Sequence, residues 1–113
     1  MKVRPHRGDI YWVALDPTVG TEIRKTRPAV IVSNDSCNQY GSCVVVLPIT
    51  SHVESLYPGE ARVRVRREPG RALGDQIRSI DKARLRGRAG TLTPEELSDV
   101  DEALRVTLGL MIP

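Results

Sequence analysis

At 113 residues the chain has room for one small domain with a modest core. Hydrophobic residues at 40% and charged ones at 27% exclude a disordered chain, and no apolar run reaches the roughly 20 residues of a membrane span. The net charge of +3 hides a partition: residues 92–113 carry −4, while the rest of the chain carries +7 from 16 basic and 9 acidic residues, so the basic body points to a polyanionic partner.

With no Phe and one Trp, the core rests on Val, Ile, Leu and Ala, which favours strands. Met1 to His6 is charged with no apolar region behind it, so it does not read as a signal peptide, and the cytoplasm is the expected compartment. Asp9 to Leu15 predicts a first strand, ended by the turn chemistry of Asp16-Pro17-Thr18-Val19-Gly20. A polar, basic loop from Thr21 to Thr26 follows. Pro28 to Ser33 reads as a strand covered on both faces. Its entrance holds Arg24, Lys25 and Arg27, and Pro28 biases Arg27 toward an extended conformation that suits a phosphate grip.

Asn34-Asp35-Ser36 predicts the cap of a helical turn running to Tyr40 and broken by Gly41. Cys37 and Cys43 lack zinc-ligand spacing and read as free thiols. Ser42 to Ile49 predicts a strand, with Pro48 implying an edge, a bulge or a strand exit. Ala61 to Arg66 alternates, with Ala61, Val63 and Val65 inward and Arg62, Arg64 and Arg66 outward. Glu68-Pro69-Gly70 reads as a turn, Asp75 to Ile80 as a short strand sharing Gln76 and Arg78 on one side, and Asp81 to Leu85 as a helical turn. The one long helix opens at Thr93-Pro94-Glu95-Glu96, a capping box with Pro at the first helical position. Its apolar stripe is Leu97, Val100, Leu104, Leu108 and Met111. Several short strands with a C-terminal helix predict a small bent β-barrel.

Three segments carry candidate chemistry: Arg27 with its basic neighbours, Pro48-Ile49-Thr50-Ser51 with two hydroxyls, and Asp75-Gln76-Ile77-Arg78. Brought together, Arg27 would neutralise charge on a pentacoordinate phosphorane and the Thr50 hydroxyl would donate a hydrogen bond or relay a proton. Two adjacent hydroxyls ordinarily form turns, and His6 and His52 are a rival acid–base pair for RNA cleavage. Trp12, Tyr57 and arginine planes are candidates for stacking unpaired bases, with Trp12 read first as a core residue.

Arg7-Gly8-Asp9-Ile10-Tyr11, Gly20-Thr21-Glu22, Lys25-Thr26-Arg27-Pro28, Ser33-Asn34-Asp35, Pro48-Ile49-Thr50-Ser51 and Asp75 to Lys82 together resemble, in order and spacing, the signature series of the MazF/PemK/Kid toxins. The resemblance implies a Src-homology-like (CcdB/MazF-type) barrel of about five to seven strands plus a C-terminal helix, spanning residues 1–113 as one toxin domain and working as a homodimer. It implies a cytoplasmic, metal-independent and cofactor-free endoribonuclease that cuts single-stranded RNA, chiefly messages, at specific sequences. The ribose 2′-hydroxyl would attack, leaving a 2′,3′-cyclic phosphate and a 5′-hydroxyl and so arresting translation and growth. By the same resemblance Arg27 and Thr50 are catalytic, and Thr21, Glu22, Arg24, Lys25, Thr26, Ser51, His52, Gln76 and Arg78 contact RNA. A cognate MazE-like antitoxin would fill the RNA groove with a disordered segment. Because a guanidinium keeps its proton, Arg27 is read as a charge stabiliser and proton donor, and the general base is left open. Two rival readings are a gyrase-poisoning protein on the same barrel, as in the CcdB toxins, and a nucleic-acid-binding module without chemistry.

Overall fold

In the computed structural model, which describes residues 4–14 and 26–110, the strands are β1 (Asp9–Val13), β2 (Arg27–Ile31), β3 (Cys43–Thr50), β4 (Glu60–Val65), β5 (Glu68–Leu73), β6 (Arg78–Asp81) and β7 (Leu85–Thr91). Helix α1 (Asp35–Tyr40) lies between β2 and β3, and α2 (Pro94–Leu108) closes the described chain. The strands form one antiparallel sheet in the order β4-β5-β3-β2-β1-β7, with β6 also paired to β3. Leu15 and the loop Thr21 to Lys25 lie outside the described residues, as does Met111.

The sheet buries both faces. Ile10, Val30, Leu47, Ile49, Ala61, Val63 and Ala72 pack with Val100 and Ala103 of α2 in one core. Tyr11, Val13, Ala29, Ile31, Val44, Val46, Ile80 and Leu85 form a second core made only of strand residues. The curl of the sheet onto itself explains why β2 reads as a continuous apolar run: Ala29, Val30 and Ile31 are all fully buried. Burial pushes the Tyr11 phenol up from its ordinary value, and the Asp9 carboxylate adds to that.

Arg7 ties four segments together. Its backbone N–H donates to Asp35 Oδ1 at 2.7 Å, its Nε to the Val32 carbonyl at 3.0 Å, and its Nη2 pairs with Asp101 of α2. The Arg7 N–H is the first cause holding the Asp35 carboxyl below its ordinary value. Asn34 caps α1 by accepting from the Cys37 N–H at 2.8 Å, as the sequence predicts. Asn38, fully buried, is held by Ser33, whose hydroxyl also accepts from the Val45 N–H at 3.0 Å. Cys37 and Cys43 are free and exposed.

Three expectations are corrected. Pro48 is neither at an edge nor at a strand exit: it is buried inside β3, paired with Ala29 on one side. On the other side β3 pairs with β6 through Val46 and with β5 from Ile49, so the missing N–H falls in the gap between two partners. Glu68-Pro69-Gly70 is not a turn but the start of β5, and the turn is made by Arg66 (φ 49°) and Arg67 (φ 74°), both left-handed. Gln76 belongs to a 3-10 turn, Gly74–Gln76, which leaves only Arg78–Asp81 as strand.

The α2 capping box forms as expected. Glu96 N–H donates to Thr93 Oγ1 at 3.1 Å and Thr93 N–H to Glu96 Oε1 at 2.9 Å. Glu96 Oε2 also accepts from the Arg64 N–H at 2.7 Å, joining the cap to β4. Val100 and Ala103 are buried, and Leu97 and Leu104 are half-buried against the same core. Leu108 is exposed, so the apolar stripe leaves the core before the helix ends. No helix among the described residues is long and apolar enough to cross a membrane. Thr93→Ala removes the side-chain half of the capping box; it should lower unfolding free energy by about 1 kcal/mol, read as a drop in urea midpoint at unchanged slope.

Candidate active site

The β2–β3 register places the two central candidates. Ala29 pairs with Pro48 and Val30 with Leu47. Two residues beyond Ala29–Pro48, the same register sets Arg27 opposite Thr50, and directly opposed residues project to the same face. That face is the second core's. Along β2 it carries Ile31, Ala29, then Arg27; along β3 it carries Val44, Val46, Pro48, then Thr50. Along β6 it carries Ile80, paired with Val44, then Arg78, paired with Val46. All three strands change from apolar to polar at the same end, by period-2 alternation alone.

The result is a groove of ≈ 400 Å³ lined by Arg27, Pro48, Ile49, Thr50, Leu73, Gln76 and Arg78. Among the described residues its lining holds two guanidinium groups and no carboxylate. Arg27, Gln76 and Arg78 are exposed, and Thr50 is half-buried. The Thr50 Oγ1 accepts from the His52 N–H at 3.3 Å, which orients the hydroxyl and leaves its proton for an acceptor in the groove. The lining suits a phosphodiester, whose oxygens only accept: two guanidinium groups neutralise its charge, and a hydroxyl and an amide NH₂ donate to it.

A second recess of ≈ 370 Å³ lies against the sheet's other face and shares Arg27, Ile49 and Thr50 with the groove. Trp12, Thr26, Pro28, Ser51, Val65, Arg66, Glu68, Pro69 and Gly70 complete it. Thr26 and Ser51 thus line this recess rather than the groove. Nor does either histidine line the groove. His52 has a side chain 78% exposed, 4.0 Å from Glu54. His6 is 69% exposed and faces Asp9. Tyr57 is also away from it, with the Arg71 guanidinium over its ring. Thr21, Glu22, Arg24 and Lys25 lie outside the described residues. Reading β5 as a turn hid Leu73, Arg66 and Glu68; the β-branched alternation of β4 followed by a charged pair was the only signal of a hairpin there.

A family model described as PemK-like, MazF-like toxin of type II toxin–antitoxin systems matches residues 6–108. The chain is 36% identical, over 113 aligned positions covering 92% of it and 96% of the relative, to the endoribonuclease MazF9 of Mycobacterium tuberculosis. Among solved structures it superposes on an endoribonuclease in complex with its cognate antitoxin from a mycobacterial species. That match has TM-score 0.77 and 27% identity, over 97% of this chain and 98% of that one. It also superposes on a MazE–MazF crystal structure from Deinococcus radiodurans, with TM-score 0.83 and 25% identity over 97% and 100%.

Gly70 sits under Thr50. A Cβ there would meet Ile49 Cγ2 at 2.7 Å and the Thr50 carbonyl at 3.0 Å. Gly70→Ala should therefore shift the Ile49–Thr50 segment and cost about 1–3 kcal/mol, measured by chemical denaturation; Gly90→Ala, with open space at its Cβ, is the control.

Proposed function

The chain belongs to the PemK-like, MazF-like toxins of type II toxin–antitoxin systems, and on that premise we propose that it is a sequence-selective, metal-independent endoribonuclease of single-stranded RNA. The convergence of Arg27, Thr50, Gln76 and Arg78 on one groove carries this reading. The substrate's own 2′-hydroxyl is the nucleophile, so the protein need not deliver water. It must hold that oxygen in line and stabilise the phosphorane. Arg27, at the strand entrance preset by Pro28, neutralises the non-bridging oxygens. Thr50, its oxygen fixed by the His52 N–H, donates to the same group. Gln76 and Arg78 hold the adjoining backbone. The 2′-hydroxyl gives up its proton as its oxygen bonds to phosphorus, the bond from phosphorus to the 5′-oxygen breaks and that oxygen takes up a proton in turn, so a 2′,3′-cyclic phosphate and a 5′-hydroxyl result with no net change in protons.

No group of three or more His, Cys, Asp or Glu among the described residues is arranged to hold a metal. The groove's charge also suits an acidic antitoxin segment occupying it in place of RNA, and on the same premise the toxin acts as a cytoplasmic homodimer.

Incubation of a long unstructured RNA with the protein in EDTA, with fragment ends mapped, tests the reading. Recurrent cuts with cyclic-phosphate ends are expected; intact RNA from folded protein would sink it. Arg27→Ala should lower turnover about 10²–10³-fold, whereas Arg62→Ala, on the exposed face of β4, should change it by less than about threefold. Equal losses would overturn the role of Arg27. Binding to uncleavable RNA should weaken with salt, and Arg78→Ala should reduce the slope of log K against log salt by about 0.7, the value of one single-strand phosphate contact.

A further inference from the structure

The second recess has no part in the chemistry above, yet Arg27 and Thr50 form the rim it shares with the groove. A phosphate held on that rim has a backbone-binding groove on one face of the sheet and an apolar recess on the other. Trp12 is half-buried at this recess. Its cross-strand neighbours are Pro28 on β2 and Gly87 on β7. Gly87 carries no side chain, and no atom of the described residues lies within 4 Å of where its Cβ would be. The β1–β7 register shifts between Ile10 and Tyr11 and again between Trp12 and Val13. Such irregularities re-aim side chains and recur beside active sites.

The opposite wall is the β4–β5 turn. Arg66 and Arg67 hold left-handed backbone there without glycine, a conformation unfavourable to both. Arg66 Nε donates to the Ala89 carbonyl at 3.2 Å, which fastens the turn over the recess. Arg66 and Glu68 thus bring a donor group and a carboxylate acceptor to a recess where an indole, Pro28, Ile49 and Pro69 supply apolar surface beside the Thr26 and Ser51 hydroxyls. An aromatic platform with a few convergent polar groups is what an unstacked base requires. The volume of ≈ 370 Å³ lies in the range of small-ligand sites.

Resting on the ribonuclease reading, we propose that this recess is a base-binding subsite: a nucleobase beside the scissile phosphate turns over the Arg27–Thr50 rim and stacks on Trp12, with Arg66 and Glu68 reading its edge. The subsite would make one position next to the cut sequence-selective, while the groove itself grips backbone.

Trp12 is the chain's single tryptophan, so its emission reports on this recess and the core beneath it and on no other site. Once wild-type cuts are mapped, the probe is a short RNA spanning one cut, with a 2′-deoxyribose at the attacking position to block cleavage. Saturable loss of Trp12 emission on binding is expected. An abasic site at one nucleotide flanking the cut should abolish that loss and weaken binding about 5- to 150-fold, the value of one base–aromatic stack. Abasic sites elsewhere should preserve it. Glu68→Gln should change the base preferred at that same position in cleavage of a randomised RNA pool. RNA that binds without altering Trp12 emission, or quenching that survives abasic substitution on both sides of the cut, overturns the subsite while leaving the ribonuclease reading in place. An unchanged base preference in Glu68→Gln overturns the reading of the base edge. Absence of any cleavage by wild-type protein overturns both.

Discussion

Everything at the site depends on the pairing register of β2 with β3. A slip of one residue would turn Ala29 and Ile31 out of the second core and Val30 out of the first, so that side chains fitted to one core would have to pack in the other. The same slip would separate Arg27 from Thr50. Stability and chemistry are therefore specified by one set of backbone hydrogen bonds. The apolar run Ala29-Val30-Ile31, buried on both sides, makes the wrong register expensive on either face. The site needs no separate scaffold, because it is the polar end of strands whose apolar middles already fix their alignment.

The motifs that place the chain in its family divide by physical role. Arg7 and Asp35 bind each other through the backbone, Arg7 reaches Asp101, and Ser33 and Asn34 organise α1. These hold the β2–α1–β3 crossover and α2 against the sheet. Asp9 is likewise structural, accepting from Thr91 Oγ1 at 2.5 Å across β1 and β7. Lys25-Thr26-Arg27-Pro28, Pro48 to Ser51 and Gln76 to Arg78 instead reach the two recesses or the loop before them. The rival histidine reading loses its footing for a geometric reason. His52 contributes its backbone N–H to Thr50, and its imidazole points to solvent beside Glu54.

The parts of the fold legible in the sequence were those with strong local signals. The capping box of Thr93 and Glu96, the alternation of β4 and the Asn34 cap each leave a pattern that survives in a single stretch of chain. Leu85 to Thr91 has no such pattern, with two glycines and three exposed polar or charged positions, and becomes β7 only because β1 lies beside it. The β4–β5 turn was illegible for the opposite reason. Pro69 and Gly70 look like turn chemistry, and two arginines do not, so local preference points to the wrong three residues. The convergence of Arg27, Thr50 and Arg78 was foreseeable as a set from resemblance. Its cause, the shared polar end of three strands, required the register.

The arginine pair at that turn also bears on how the chain reaches its native state. A hairpin closed by Asn-Gly or Asp-Gly can nucleate on its own, because those residues enter left-handed backbone readily. Arg66 and Arg67 cannot supply that head start. Pairing of β4 with β5 must then wait for contacts distant in sequence, such as the strand that offers the Ala89 carbonyl and the helix whose Glu96 meets Arg64. Loop closure over such separations slows folding. The hairpin then rests on those distant contacts, and so does the wall of the Trp12 recess that it forms.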